Sequence, residues 1–212
     1  GTTHFLEVEL ELRPGAKPHK HAPSRLGPEG HKIAQEAVAE MEKNGIIRKS
    51  SSPWASRMLI VKKKSGEARI CIDLRDVNSK LLIQDTPLPR CDDSISRLAA
   101  APDSDGNPSP GTHKRFFHTL DLASGFHALP IKEEHKERLA FVTERGKYEF
   151  NYLPFGVNCG PSYMQRLIES AMEGLSWDHI ACYIDDIVAW QSGRTIEEAF
   201  DKSMERLDLV LE

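Results

Sequence analysis

Apolar and polar positions change their period several times along the 212 residues of the chain. FLEVELELRPGAKP, from Phe5 to Pro18, alternates apolar and acidic residues and runs out in Gly and Pro, the pattern of an edge strand entering a loop. GPEGHKIAQEAVAEMEKNG then switches to a helical period. Pro28 stands near its start, Ile33, Ala37, Val38 and Met41 form its apolar face, and Gly45 stops it. RMLIVKKKSGEARICIDL predicts two strands around a Lys-rich connection with Ser65-Gly66. Prolines between Asp85 and Arg90 mark a stiff, extended passage. The stretch from Ala99 to Lys114, built of Pro, Gly, Ser, Asp and Asn without period, predicts a disordered surface loop.

The second half is denser in signals. RFFHTLDL reads as a buried strand ending in Asp121, and AFVTERGKYEFNYL as a hairpin turning at Arg145-Gly146. Pro161 opens a helix, PSYMQRLIESAMEGL. IACYI and IVAW are strands with Asp185-Asp186 as the tight turn between them. The last helix, TIEEAFDKSMERLDLVLE, begins with a capping box of Thr195 and Glu198 and turns Ile196, Ala199, Phe200, Leu207 and Val210 inward. Hairpins interleaved with helices imply an α+β domain with an antiparallel sheet.

Composition narrows the class. Hydrophobic residues make up 39% and charged residues 28% of the chain, and no apolar stretch approaches the roughly 20 residues of a membrane span. Cys71, Cys91, Cys159 and Cys182 are widely spaced and form no CxxC pair, which argues against a disulfide framework or a zinc site and for a reducing compartment. His19, His21 and His31 lie close in sequence but lack cysteines at ligand spacing, so they read as a solvated loop. The net charge is -4, yet from Lys43 to Arg90 eleven Lys or Arg face only four acids. A basic segment in an acidic chain suits a protein with one part for phosphates and another for metal-binding carboxylates; a solvated basic face reads equally well from charge alone.

The chemistry concentrates in three acids. Asp185 and Asp186 are adjacent, and adjacent carboxylates between apolar strands repel one another unless a cation lies between them. Asp121 ends another apolar strand, so a sheet that sets this strand beside the hairpin would gather three carboxylates. Such a cluster can hold two divalent ions about 3.5–4 Å apart for a phosphoryl displacement, and Mg²⁺ is the natural ion for an all-oxygen set.

The motifs around these acids resemble the reverse transcriptase of Ty3/gypsy-type long-terminal-repeat retrotransposons almost from end to end. GAKPHKHAPSRLGPEG is similar to that family's leading segment, NGIIRKSSSPWASRMLIVKKKSGEARICIDLRDVNSK to its fingers hairpin, and TPLPR to the following linker. LDLASGFHALPI resembles the first catalytic motif, LPFGVNCGPSYMQRLIE the loop and helix beside template and nucleotide, and YIDDIVAW the motif with paired aspartates. The resemblance implies a right-hand polymerase of class α+β, with fingers and leading segment over about 1–90, a palm over 91–212 whose antiparallel sheet is backed by helices, and a fingers contribution around 125–160. Thumb, connection and RNase H would follow Glu212, and the start at Gly1-Thr2-Thr3 without Met suggests a piece of a longer product. Primer-template binding by this piece alone should be weak, since phosphate contacts made by the thumb are missing.

By the same resemblance Asp121, Asp185 and Asp186 are the catalytic acids. The metal set is Asp121, the carbonyl of Leu122, Asp185 and Asp186, with Asp121 and Asp185 the principal ligands and Asp186 acting more through electrostatics than direct ligation; Leu122 also belongs to the nucleotide-binding residues. The cofactors implied are two Mg²⁺ ions, with Mn²⁺ as substitute. Lys63 and Arg69 would grip the triphosphate, with Lys62 and Lys64 competing for the lysine role. Phe126 would exclude a 2′-hydroxyl, and Gly156 would let backbone approach the nucleotide. Arg75, Asn78, Gln165 and Tyr183 would contact template or primer or brace the fingers. The partners implied are an RNA or DNA template with its primer, dNTPs, the thumb, RNase H and integrase of the same polyprotein and, as one assembly, a homodimer; no membrane is expected. The resemblance places the protein inside the cell, in a cytoplasmic virus-like particle or the nucleus.

Three features depart from the pattern: Ala128 where the family has Gln, Ala68 where it has Trp, and the segment from Ala101 to His113, which resembles an insertion. Two rivals remain. An RNA-dependent RNA polymerase would more often carry Gly before the paired acids, where this chain has Tyr183-Ile184. A domesticated or decayed retroelement protein that binds nucleic acid without catalysis would not need to keep all three acids.

Overall fold

Two compact units divide the chain, one made of residues 1–85 and 126–160 and the other of residues 86–125 and 161–212. The computed structural model describes residues 6–62, 68–82, 114–122, 125–173 and 180–211. The Lys-rich connection at residues 63–67, the prolines after Asp85 and the segment from Ala101 to His113 lie outside the described residues.

The first unit holds helix α1 (Pro28–Lys43), strands β1 (Ile47–Lys49), β2 (Ser56–Lys62) and β3 (Ala68–Asp73), the short helix α2 (Arg75–Lys80), and strands β5 (Phe141–Thr143) and β6 (Gly146–Phe150). Pro28 sits at the first position of α1, where its missing N–H costs nothing. The buried face of α1 centres on Ala34 and Val38, flanked by half-buried Ile33, Ala37 and Met41. Gly45 follows in the left-handed region at φ +69°, which ends the helix without a Cβ penalty.

The sheet order is β1-β6-β5-β2-β3. The β2–β3 hairpin pairs Arg57 with Asp73 through Lys62 with Ala68. The pairing of β2 with β5 is parallel, so this sheet is mixed rather than wholly antiparallel. In the β5–β6 hairpin Thr143 pairs with Gly146, which places the turn at Glu144-Arg145, one residue before the position read from sequence. Trp54, Phe141, Leu139 and Leu153, each 2% exposed or less, anchor the core of this unit.

The N-terminal alternation does not make a strand among residues 6–18. Val8 and Leu10 are buried, as the alternation requires, but their backbone partners are scattered. Val8 N–H donates to the Pro130 carbonyl (2.8 Å), Lys132 N–H to the Val8 carbonyl (3.1 Å), Leu10 N–H to His135 Nδ1 (2.9 Å) and Arg13 N–H to the Lys80 carbonyl (2.9 Å). The backbone is satisfied by partners scattered along the chain, Leu82 N–H to the Glu11 carbonyl (2.7 Å) among them, instead of by one ladder.

The second unit holds β4 (Lys114–Asp121), α3 (Gly160–Ala171, from its second residue), β7 (Ile180–Tyr183), β8 (Asp186–Gly193) and α4 (Ile196–Leu211). Its sheet order is β4-β8-β7, antiparallel throughout, with β8 in the centre. Helix α4 packs on β8 and β4. Glu198 N–H donates to Thr195 Oγ1 (3.1 Å), while the Glu198 carboxylate accepts from Arg194 N–H (2.9 Å), one residue earlier than in a reciprocal capping box.

The inward face of α4 agrees with the sequence reading at Ala199 and departs from it at Ile196 and Phe200. Ala199 and Ser203 are fully buried, whereas Ile196 is 54% and Phe200 45% exposed. Small residues face the sheet because the backbones approach closely there: a Cβ on Gly193 would meet Ala199 N at 2.4 Å. Phe200 instead packs edge-on against Phe116 of β4, with ring centroids 5.5 Å apart.

Candidate active site

The three-strand sheet of the second unit sets the acids. Along β4 and β8 the register runs from Lys114 opposite Gly193 to Asp121 opposite Asp186, so the last residue of one strand faces the first of the next. On its other side Asp186 pairs with Tyr183 of β7. The tight turn is therefore Ile184-Asp185, shifted by one from the sequence reading, and Asp186 belongs to the ladder. Cross-strand neighbours lie roughly 4.5–5.5 Å apart, so backbone alone brings Asp121 and Asp186 together, with Asp185 next to them in the turn. Asp186 is exposed and Asp185 half-exposed at this open end of the sheet.

The turn carries strain. Ile184 has φ 59°, the only positive φ outside glycine among the described residues. A two-residue hairpin turn of the type that fits strand twist needs positive φ, and a β-branched residue pays for it sterically. Gln165 of α3 holds the turn in place. Its Oε1 accepts the Ile184 N–H (2.9 Å) and its Nε2 donates to Glu169 Oε1 (2.9 Å), and the side chain is only 4% exposed. Gln165 thus lies beneath the turn. Gln165→Leu leaves the Ile184 N–H without this acceptor, and thermal or urea unfolding should show a loss of about 1–3 kcal/mol.

The Leu122 carbonyl accepts the Gly125 N–H (3.2 Å), and a carbonyl oxygen has a second lone pair for a further partner. A Cβ on Gly125 would stand 3.1 Å from both Leu122 Cβ and Met164 Cε, so the chain passes close behind the acids. The donor set here is carboxylate and carbonyl oxygen only, which fits a hard divalent cation and not a thiolate- or imidazole-seeking one.

The remaining residues singled out from sequence lie in the first unit, apart from Tyr183 beside the turn. Asn78 of α2 donates from Nδ2 to the Gly156 carbonyl (2.7 Å) and accepts the Asn158 N–H on Oδ1 (3.0 Å). It clamps the Leu153–Gly156 loop, where Gly156 has φ +94°. Phe126 is 9% exposed and packs against Phe155 with ring centroids 4.7 Å apart. Phe126 also fills the space beside Gly160, where an added Cβ would stand 2.9 Å from its ring. Arg69 is exposed, its guanidinium 5.7 Å from the Phe155 centroid. Phe155, 47% exposed at the loop tip, connects Phe126 and Arg69 and was not marked from sequence; an exposed aromatic just before a glycine was the signal.

Arg75 reaches back to Asp73 with Nε and Nη2 (2.8 and 2.7 Å), and this guanidinium holds the Asp73 carboxyl down at about 2. Burial pushes the Cys159 thiol up to about 11, so it stays protonated and inert. Lys63 lies outside the described residues.

A family model described as reverse transcriptase (RNA-dependent DNA polymerase) matches residues 61–208. The chain belongs to this family. Among its relatives, the retrovirus-related Pol polyprotein from transposon 412 of Drosophila melanogaster is 34% identical over 160 residues, covering 73% of this chain and 12% of the relative. The Pol polyprotein from transposon gypsy of the same fly is 31% identical over 164 residues, covering 74% and 15%. The chain thus spans only about an eighth to a seventh of the length of these polyproteins. A solved foamy viral protease-reverse transcriptase in complex with RNA/DNA hybrid superposes with TM-score 0.69 over 97% of this chain and 26% of that one, at 19% identity, which establishes the shared fold. Among the described residues no helix is long and apolar enough to cross a membrane.

Proposed function

We propose that this chain is the fingers-and-palm part of an RNA-directed DNA polymerase that joins a dNTP to a primer 3′-hydroxyl. The observation that supports it best is the register of β4 with β8, which sets Asp121 opposite Asp186 and beside Asp185 in a family whose members are reverse transcriptases. Asp121 and Asp185, with the carbonyl oxygen of Leu122, would hold two divalent ions, Mg²⁺ with Mn²⁺ as substitute. Bound there, such ions lower the pKa of the 3′-hydroxyl and neutralise the departing pyrophosphate. Asp186, in the ladder and exposed, adds negative potential without needing to ligate.

The chain's other residues position the reactants. Lys63 and Arg69 bind the triphosphate, Arg69 with its planar fork. Asn78 keeps the Gly156 loop in the shape that lets backbone meet the nucleotide. Arg75 and Tyr183 serve template and primer, and Gln165 serves them through the turn it supports. The RNA or DNA template with its primer, the thumb, RNase H and integrase of the same polyprotein, and a homodimer are the partners of this reading, inside a virus-like particle or nucleus.

Phe126 selects deoxynucleotides by closing the space a 2′-hydroxyl would need. Phe126→Val should raise ribonucleotide incorporation relative to deoxynucleotide incorporation by at least roughly tenfold, within the 10–200-fold that one pocket group commonly controls. An unchanged ratio would assign the ring to the core alone. The function itself is tested by extension of a DNA primer on an RNA template.

A further inference from the structure

The sequence reading left His19, His21 and His31 as a solvated loop, but the fold draws two of them into a cluster in the first unit, with no part in the polymerase reading. Lys20 forms an isolated parallel bridge with Ala55, and the backbone around it is fixed by Ala55 N–H to the His19 carbonyl and His21 N–H to the Ala55 carbonyl, both 2.9 Å. Residues two apart on extended backbone project to the same side, so His19 and His21 share a face; their ring centroids are 5.3 Å apart. Asp76, in the first turn of α2, meets that face: its Oδ2 lies 2.6 Å from His21 Nε2. One ligand atom from each of the three residues lies within 4.8 Å of the other two.

Two further observations point to a ligand. His19 uses Nε2 toward Ser56 Oγ (3.2 Å), while its Nδ1 is buried and has no hydrogen-bond partner among the described residues. The ring is held edge-on against Trp54, with centroids 5.4 Å apart, so its orientation is set by packing. A buried ring nitrogen without a partner is a cost that a cation would remove. The local charge is mixed: Asp76 and the nearby Asp73 favour a cation, and Lys80, with Nζ over the Trp54 ring at 5.4 Å, opposes one.

We propose that His19, His21 and Asp76 form a binding site for one divalent transition-metal ion of the zinc class. Two imidazoles and a carboxylate are a nitrogen-rich donor set that suits Zn²⁺ or Co²⁺ and discriminates against Mg²⁺ and Ca²⁺. Three protein ligands leave a fourth position to water, and the side chains of His21 and Asp76, 31% and 51% exposed, leave a route for entry. The ion takes the place of the hydrogen bond between His21 and Asp76, with any proton on the bonding nitrogen released to solvent. It ties the leading segment to α2, closing a loop across 55 residues of sequence, and so stabilises the first unit independently of the polymerase reading.

The test uses the full chain, stripped of metal and kept in millimolar MgCl₂ so that oxygen-ligand sites are already filled. ZnCl₂ is titrated by calorimetry, and CoCl₂ is followed by its visible absorption. The expected result is one equivalent bound per chain, a rise in melting temperature with Zn²⁺, and at least roughly tenfold weaker binding in Asp76→Asn and in the His19→Gln/His21→Gln double variant. Asp76 is exposed enough for its variant to fold, and circular dichroism checks the double variant. Asp185→Asn should bind Zn²⁺ as the parent does, which separates this site from the catalytic acids. Absence of saturable binding, or a loss below tenfold in Asp76→Asn, overturns the proposal.

Discussion

Asp185→Asn is expected to lower templated nucleotide incorporation by on the order of 10²–10³-fold or more, the scale seen when one preorganised charge-stabilising group is lost, while the melting temperature stays equal or rises. Both halves follow from the sheet. Asp121, Asp185 and Asp186 are brought to one end of β4 and β8 by backbone pairing, so three acidic residues are gathered by a ladder that would form without them. Their mutual repulsion opposes folding, and removing one charge relieves it. Function and stability should therefore move in opposite directions, as they do where a site is kept at a cost to the fold. Asp121→Asn should behave in the same way. Asp186→Asn should lose less activity if, as proposed, it acts through its charge rather than as a ligand. Primer extension and thermal melting on the same preparations check this; a variant that loses activity and melting temperature together would point to a structural role.

Gly193→Ala should produce the largest loss of stability. The last residue of β8 passes so close to the start of α4 that a Cβ would lie 2.4 Å from Ala199 N and 2.9 Å from Ala199 Cα. Both are backbone atoms, so no rotamer change can make room, and the helix must move off the sheet. Overpacking of this kind costs about 1–3 kcal/mol, with backbone clashes at the upper end. In a unit of this size that corresponds to a fall in melting temperature of roughly 4–8 °C per kcal/mol. The fully buried Ala199 and Ser203 on the facing helix lose their packing with it. A variant that melts with the parent would show that α4 does not sit on β8 at this distance.

These two sites also show what could be read from sequence and what could not. Helix α1, the β2–β3 hairpin, β4 and the β7–β8 hairpin were legible because apolar period and turn residues agree there with the tertiary structure. The face of α4 was read correctly at Ala199 and misread at Ile196 and Phe200, which hydrophobicity singles out, whereas the sheet selects by size and also admits Ser203. The alternating segment from Phe5 to Pro18 buries Val8 and Leu10 as expected, yet finds no single strand to pair with; its partners at Lys80, Pro130, Lys132 and His135 are distant in sequence.

The acids were legible as a set, and the turn beside them only to within one residue. The ladder with β4 fixes Asp186 in the strand and forces Ile184, a poor turn residue, into positive φ. Nothing local announces that. The amide partners of Gln165 and Asn78 were equally out of reach, since a side chain can be placed near template or loop by resemblance but its hydrogen bonds need coordinates. The His19–Asp76 cluster was missed for a related reason: its ligands are far apart in sequence and carry no spacing signature.

The most direct measurement is single-nucleotide extension of a DNA primer annealed to RNA, in Mg²⁺, by the chain continued through the polyprotein segment that follows it, with its Asp185→Asn variant run in parallel. The account predicts a primer longer by one templated deoxynucleotide with the parent chain and none above background with the variant; no extension by the parent, or equal extension by both, would contradict it.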